Sequence, residues 1–250
     1  MRDELLSHLD DLLDARDRAD YGPNGMQVPG AEQVELVVTG VSAHRELFER
    51  AAEAGAQLVL CHHGIFWGDP VGPLTQQMKA RLKLLFDNDM TLAAYHLPLD
   101  AHPEVGNNAL ICAGLGLARG QAFGEAKGAP IGWVGTSDEP LTIAELVARS
   151  TTLFGSEPLV FDSGPAQIRR VGIVSGGGSA MIEDAVALGL DAFITGEPTE
   201  YAMADAREGG IHFLAAGHYA SETLGIRRLG ELLAERFGIE HRFIEIPNPI

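Results

Sequence analysis

Apolar positions in the first seventeen residues fall at helical spacing. Leu5, Leu6, Leu9, Leu12 and Leu13 share one side of a stretch whose other positions are mostly charged, which predicts an amphipathic helix over 3–17. A turn signal follows at Tyr21-Gly22-Pro23-Asn24-Gly25, because Pro and Asn-Gly favour turn geometry. Short β-rich runs then appear at 34–41 and 58–61, separated by a helical pattern over 44–54 that Gly55 stops. The run Leu58-Val59-Leu60-Cys61 leads directly into His62-His63-Gly64. Residues 78–87 read as a helix, 91–95 as a strand ending at His96, and 107–117 as a further helix.

The second half repeats the plan. Thr142 followed by Glu145 is a capping-box pattern ahead of Leu146 and Val147. A strand over 171–175 runs into Gly176-Gly177-Gly178, a helix over 180–188 ends at Gly189, and a strand over 191–195 precedes Gly196-Glu197-Pro198. A helix over 201–208 is closed by Gly209-Gly210, a strand over 212–216 ends at Gly217-His218, and a last helix spans 222–237. Strands alternating with helices predict an α/β fold with a mostly parallel sheet.

The halves also match in detail. Residues 54–61 align with 188–195, each a helix end, a glycine and an apolar strand. Residues 93–100 align with 215–222, and both carry a His and a carboxylate four positions apart just past a strand: His96 with Asp100, and His218 with Glu222. The expected architecture is therefore two similar α/β domains from an internal repeat, over 1–122 and 123–250, with the C-terminal helix free to pack back on the first. Ligands from both halves would meet in the cleft between them, since α/β proteins place their sites beyond the carboxyl ends of strands.

Charge and composition narrow the partners. The formal net charge of −17 and pI of about 4.8 disfavour nucleic acid and anionic membranes and suit cations. With 46 % hydrophobic residues in 250, the chain can bury one large core or two moderate ones. Only Cys61 and Cys112 are present, so no disulfide framework exists and a reduced, cytoplasmic setting is expected. The N-terminus lacks the apolar core of a signal peptide, and no run approaches the roughly 20 apolar residues of a membrane span.

The candidate chemistry lies in three segments. Imidazole is the commonest nitrogen ligand for borderline divalent metals, and adjacent His62 and His63 at a strand end suit two neighbouring ions better than one. Asp100 is a hard carboxylate able to bridge cations, with His96 and His102 near it as ligands, supporting groups or proton carriers. His218 and Glu222, spaced i, i+4 at a helix start, share one face. Three nitrogens and two carboxylates compose a dinuclear hydrolytic centre, in which ions about 3.5–4 Å apart activate water. The donor set suits two divalent ions of iron, zinc, manganese, cobalt or nickel. The turn at 176–178 reads either as an anion cradle or as a plain βα turn, and Glu197 stands where the repeat pairs it with His63. Cys61 is read as a buried strand residue, and Phe66 and Trp67 as core or pocket wall.

Several of these pieces together resemble a known family. Cys61-His62-His63-Gly64, His96-Leu97-Pro98-Leu99-Asp100-Ala101-His102-Pro103, Gly106-Asn107-Asn108, Ile194-Thr195-Gly196-Glu197 and Ala216-Gly217-His218-Tyr219-Ala220-Ser221-Glu222 are similar to the motifs of the Nif-three-like dinuclear metal-binding proteins, the GTP cyclohydrolase I type 2 homologs. The similarity runs from Tyr21 to Pro249, in the short form without an inserted domain. It implies that His62 and His63 bind one ion each, that Asp100 joins His63 and His218 joins His62, and that Glu222 bridges both. It further implies a ring-shaped homohexamer and a metal-dependent hydrolase acting on a small-molecule substrate such as a nucleotide, with His96 as a catalytic proton carrier. Tyr219 departs from relatives that carry a second histidine there. The rival reading is a metal-handling or regulatory protein without turnover.

Overall fold

The computed structural model describes residues 1–68 and 72–250. In chain order the elements are α1 (Arg2–Leu13), β1 (Gly25–Val28), β2 (Leu36–Ser42), α2 (Arg45–Glu53), β3 (Leu58–His63), α3 (Gln76–Asp87), β4 (Thr91–Ala94), α4 (Leu97–Ala101), α5 (Asn107–Gly114), β5 (Ala118–Ala126), β6 (Ala129–Leu141), α6 (Ile143–Phe154), β7 (Leu159–Phe161), β8 (Ile168–Val174), α7 (Ile182–Ala187), β9 (Ala192–Thr195), α8 (Ala202–Gly209), β10 (His212–Ala215), α9 (His218–Ser221), α10 (Thr223–Phe237) and β11 (Glu240–Phe243). They form two units, one of Met1–Leu99 with Gly225–Pro247 and one of Asp100–Leu224 with Asn248–Ile250. Relative to a division at 122, residues 100–122 go with the second unit, because Ile111, Cys112, Leu115 and Leu117 belong to its core.

The first unit is built on a five-stranded sheet in the order β1-β4-β3-β2-β11. All pairs are parallel except the β1 edge, which runs antiparallel to β4. Nearly every residue of β2, β3 and β4 is buried, as expected of parallel strands covered on both faces, which read as continuous apolar runs. The apolar stripe of α2 supplies Leu47, Phe48 and Ala51 to a core with Val38, Val59, Cys61 and Leu92. Truncating the fully buried Phe48 to Ala would cost about 3–5 kcal/mol by cavity formation. Helix α1 buries Leu5, Leu6, Leu9 and Leu13 but ends before the expected residue 17. Asp14 adopts a left-handed conformation at φ 51° and its amide turns back to the Asp10 carbonyl, a short-chain acidic residue serving as helix stop.

The second unit holds a six-stranded mixed sheet in the order β5-β6-β8-β9-β10-β7. β8, β9 and β10 are parallel, while β5, β6 and β7 pair antiparallel. Two sheets with covering helices give the α/β architecture expected from the repeat. The hairpin β5–β6 is an addition, turned by Lys127 (φ 54°) and Gly128 (φ 81°), the double positive φ of a tight two-residue hairpin loop. Helix α6 begins with the capping box, Thr142 accepting from the Glu145 amide and Glu145 from the Thr142 amide. The segment expected as one helix over 180–188 is a 3-10 turn, Ser179–Met181, followed by α7. No helix among the described residues is long and apolar enough to cross a membrane.

Candidate metal centre

In the first unit, His62 and His63 are the last two residues of β3 rather than residues beyond it. Strand alternation sends neighbouring side chains to opposite faces, yet here, at the strand end, the two ring centroids lie 4.7 Å apart. His62 is fully buried. Its Nδ1 sits 2.9 Å from the Tyr95 carbonyl oxygen, which can only accept, so the proton resides on Nδ1 and the lone pair on Nε2. His63 Nδ1 lies 3.2 Å from the Ser42 hydroxyl.

His96, just past β4, joins this pair, its centroid 5.1 Å from that of His62 and 5.5 Å from that of His63. One ligand nitrogen from each of the three imidazoles lies within 4.8 Å of the others, close enough to take up a metal ion. The His96 ring is aimed by Asp20: Nδ1 donates to Asp20 Oδ1 at 2.7 Å. The Asp20 carboxylate also accepts from the Tyr21 and Leu97 amides and from Asn24 Nδ2, and Asn24 Oδ1 accepts from the His96 amide. Burial would raise the Asp20 pKa, but the His96 hydrogen bond and charge, with Asn24 and the Tyr21 amide, outweigh it and hold the carboxyl below its ordinary value. This carboxylate–imidazole pairing is the usual way of fixing the tautomer of a metal-ligating or proton-carrying histidine. Cys61 is buried one residue earlier, and burial pushes its thiol far up, so it offers no thiolate.

In the second unit, Asp100 is buried within α4, and its Oδ1 accepts from Asn107 Nδ2 at 2.8 Å and from Ser175 Oγ at 3.0 Å. His218 opens α9, and Glu222 sits between α9 and α10 at φ −112°. The last helix, expected over 222–237, starts at Thr223, and a separate short helix, α9, carries His218. The i, i+4 relation survives across the break, with His218 Nε2 3.1 Å from Glu222 Oε1. His218 Nδ1 makes a short hydrogen bond to Glu197, which stands two residues beyond β9. Burial lowers the His218 pKa, but the two flanking carboxylates together overcome it and raise it to about 9.

The glycines of this unit bring the backbone up against these groups. A Cβ on Gly176, which has φ +61°, would lie 2.2 Å from Glu222 Oε1 and 3.1 Å from His218 Nε2. The Gly176 amide donates to Ser221 Oγ and the Gly178 amide to Thr195 Oγ1, while the Gly176 carbonyl accepts from the Gly196 and Glu197 amides. Two amides of the 176–178 turn are therefore spent on internal bonds, which makes it a packing turn and not an anion cradle. His102 likewise serves its own loop, its Nδ1 accepting from the Glu104 and Val105 amides. A cavity of about 300 Å³ opens beside Glu197, walled by Pro198, Gly217, Leu159 and Ile250.

Sequence reasoning missed Asp20, Ser42 and Ser175, which orient the candidate ligands. Asp20 carried one local signal, since an Asp at the head of a Gly-Pro-Asn-Gly turn commonly accepts backbone amides.

Comparison with known proteins places these residues in a wider set. The profile of the family described as Duf34/NIF3 (NGG1p interacting factor 3) matches residues 1–249. A relative from Pseudomonas aeruginosa named GTP cyclohydrolase 1 type 2 homolog is 43% identical over 245 residues, 98% of this chain and 97% of its own length. A solved structure described as protein ybgI of unknown function superimposes with a TM-score of 0.94 at 41% identity, covering 100% of this chain and 99% of that one. The crystal structure of TTHA1606 from Thermus thermophilus gives 0.89 at 34% identity, with the same coverage of 100% and 99%.

Proposed function

Because the chain belongs to the Duf34/NIF3 family, we propose that it is a divalent-metal-dependent hydrolase that holds two ions on His62, His63, Asp100, His218 and Glu222 and acts on a nucleotide or related substrate. The observation that carries the proposal is the pair of imidazoles at the end of β3, His62 and His63, with ring centroids 4.7 Å apart and the His96 ring 5.1 and 5.5 Å from them. The donor chemistry fits: the Tyr95 carbonyl fixes the His62 lone pair on Nε2, and Glu197 orients His218 through Nδ1. When bound, such ions would polarise the substrate and lower the pKa of water toward neutrality.

The chain's own groups would do the rest. His96, with its Nδ1 proton tied to Asp20, has its lone pair at Nε2, the atom that would accept a proton from the attacking water and return it to the leaving group. Asp100 is fixed in place by Asn107 and Ser175 and would serve as a ligand through its carboxylate. The name of the Pseudomonas relative makes GTP the first substrate to try. The ring-shaped homohexamer implied by the sequence resemblance is part of the same proposal and is tested by the particle mass in solution.

The test is elemental analysis of purified, metal-loaded protein beside His63→Ala and Glu222→Ala variants, followed by turnover of GTP, other nucleotides and phosphoesters. Two ions per chain, lost in the variants, with hydrolysis of one of these substrates supports the proposal. Variants that keep both ions overturn the ligand set. Two ions without any turnover would replace the hydrolase with a metal-handling protein.

A further inference from the structure

Two large aromatic side chains flank the histidine group of the first unit without being buried. Tyr21 is 50% exposed and Trp67 is 42% exposed. The Trp67 ring meets His96 edge-on, with centroids 5.2 Å apart and planes at 87°, and lies 5.8 Å from His63. Tyr21 approaches His96 from another edge at 6.2 Å. An exposed indole forgoes a large burial gain, and here two exposed aromatic rings converge on one histidine.

The indole is held, and so is the loop that carries Tyr21. The Trp67 Nε1–H donates to the Gly64 carbonyl at 3.0 Å, which fixes the plane of the indole. The Gly68 amide donates to the Tyr21 carbonyl at 2.8 Å, tying the loop that carries Trp67 to the loop that carries Tyr21. A Cβ on Gly22 would lie 2.4 Å from the Phe66 carbonyl oxygen, so the loops touch backbone to backbone. Gln27 bridges the same loops, accepting from the Ile65 amide and donating to the Pro23 carbonyl.

The recess beside these rings is lined by Asn24, Gln27, His62, Gly64, Trp67 and His96 among others, with no Lys or Arg among the described lining residues, and it holds only about 10 Å³. A phosphate would find no fixed cation there, and a flat ring would lie across the exposed aromatic side chains at its mouth without entering it. Asn24 and Gln27 already use both ends of their amides on protein groups, leaving little for reading the edge of a base. We propose that Tyr21 and Trp67 form a stacking platform that receives a planar heteroaromatic ring, of the purine nucleobase class, next to His96. The choice of a nucleotide rests on the hydrolase reading; the platform itself does not require bound metal. Stacking without edge contacts is tolerant of base identity, so adenine and guanine rings should bind within a few-fold of one another.

The sequence contains two tryptophans, so Trp133→Phe leaves Trp67 as the sole indole reporter. Guanosine monophosphate and ribose 5-phosphate, which share the phosphate but not the ring, are titrated against this protein with and without loaded metal. Saturable quenching by guanosine monophosphate and none by ribose 5-phosphate is the expected result. By calorimetry, Trp67→Ala and Tyr21→Ala should each weaken guanosine monophosphate binding roughly 10-fold, a typical loss for one stacking partner, and Trp67→Phe should restore most of it. Equal binding of the two phosphates, or unchanged affinity in both alanine variants, overturns the platform even if GTP is hydrolysed. Ring-dependent quenching without turnover of any substrate leaves the platform standing and removes the hydrolase.

Discussion

Asp20 Oδ1 lies 2.7 Å from Nδ1 of His96, a partner 76 positions away in the chain. This one carboxylate also holds the amides of Tyr21 and Leu97, so it both shapes the loop and points the imidazole. Asp20→Ala should lower stability by about 2–4 kcal/mol, because four donors, three of them in part-buried bonds, lose a charged acceptor together. Asp20→Asn keeps the shape and should fold, with metal affinity or turnover down about 10–100-fold. Nitrogen chemical shifts of His96 give a second readout: the wild type should show the Nδ1–H tautomer and the variant a mixture. An unchanged tautomer and unchanged activity in Asp20→Asn would remove Asp20 from the site.

The same group sets an acid dependence. Its folded-state pKa is held below the ordinary carboxylate value by His96, Asn24 and the Tyr21 amide acting against burial. A depressed folded pKa means that the unfolded chain binds more protons in the window between the two values. The stabilisation is therefore complete above about pH 4, the unfolded value, and is lost as pH falls through the lower folded one. In urea unfolding, the stability gap between wild type and Asp20→Asn should be present at about pH 5 and should narrow as pH falls below about 4. A gap that widens below pH 4 contradicts the assignment.

Gly176 and Gly189 share one backbone conformation, φ +61° and +62°, in different surroundings. A Cβ on Gly189 meets nothing within 4 Å, whereas one on Gly176 meets Glu222 Oε1 at 2.2 Å. Gly189→Ala should cost only the left-handed strain, about 1–2 kcal/mol. Gly176→Ala should cost more than that and should displace Glu222, with loss of metal from any site that Glu222 helps to form. Thermal melts and metal content of the two variants separate strain from displacement, and equal behaviour would mean that Glu222 yields without consequence.

What could be read from the sequence follows from how local each signal is. The core of β3 was legible because four consecutive apolar residues, 58–61, sit between Gly55 and the His62-His63-Gly64 segment. The capping box of α6 was legible because both partners lie within three residues. The β5 strand was not, since its first half is exposed and it has no alternating apolar face. The separate short helix α9 was hidden as well, because no Pro or Gly stands at 218–224 to mark its end at Glu222. Asp20 was missed for the opposite reason, its partner being distant in sequence, so no spacing rule could join it to His96.

Metal should also act on stability. Ions that bind the folded chain but not the unfolded one stabilise it by mass action, about 2.7 kcal/mol at a hundredfold excess over the dissociation constant. For a chain of 250 residues this corresponds to a rise of about 5–10 °C in the melting temperature. His62→Ala should melt lower than the wild type even without metal, because a fully buried ring bonded to the Tyr95 carbonyl is lost. The diagnostic quantity is therefore the shift on adding zinc or manganese, and not the absolute value. His62→Ala and Glu222→Ala should both lose most of that shift, whereas Gly189→Ala should retain all of it. If either ligand variant keeps the full shift, the ions are held by other groups, and the set drawn from His62, His63, Asp100, His218 and Glu222 is wrong.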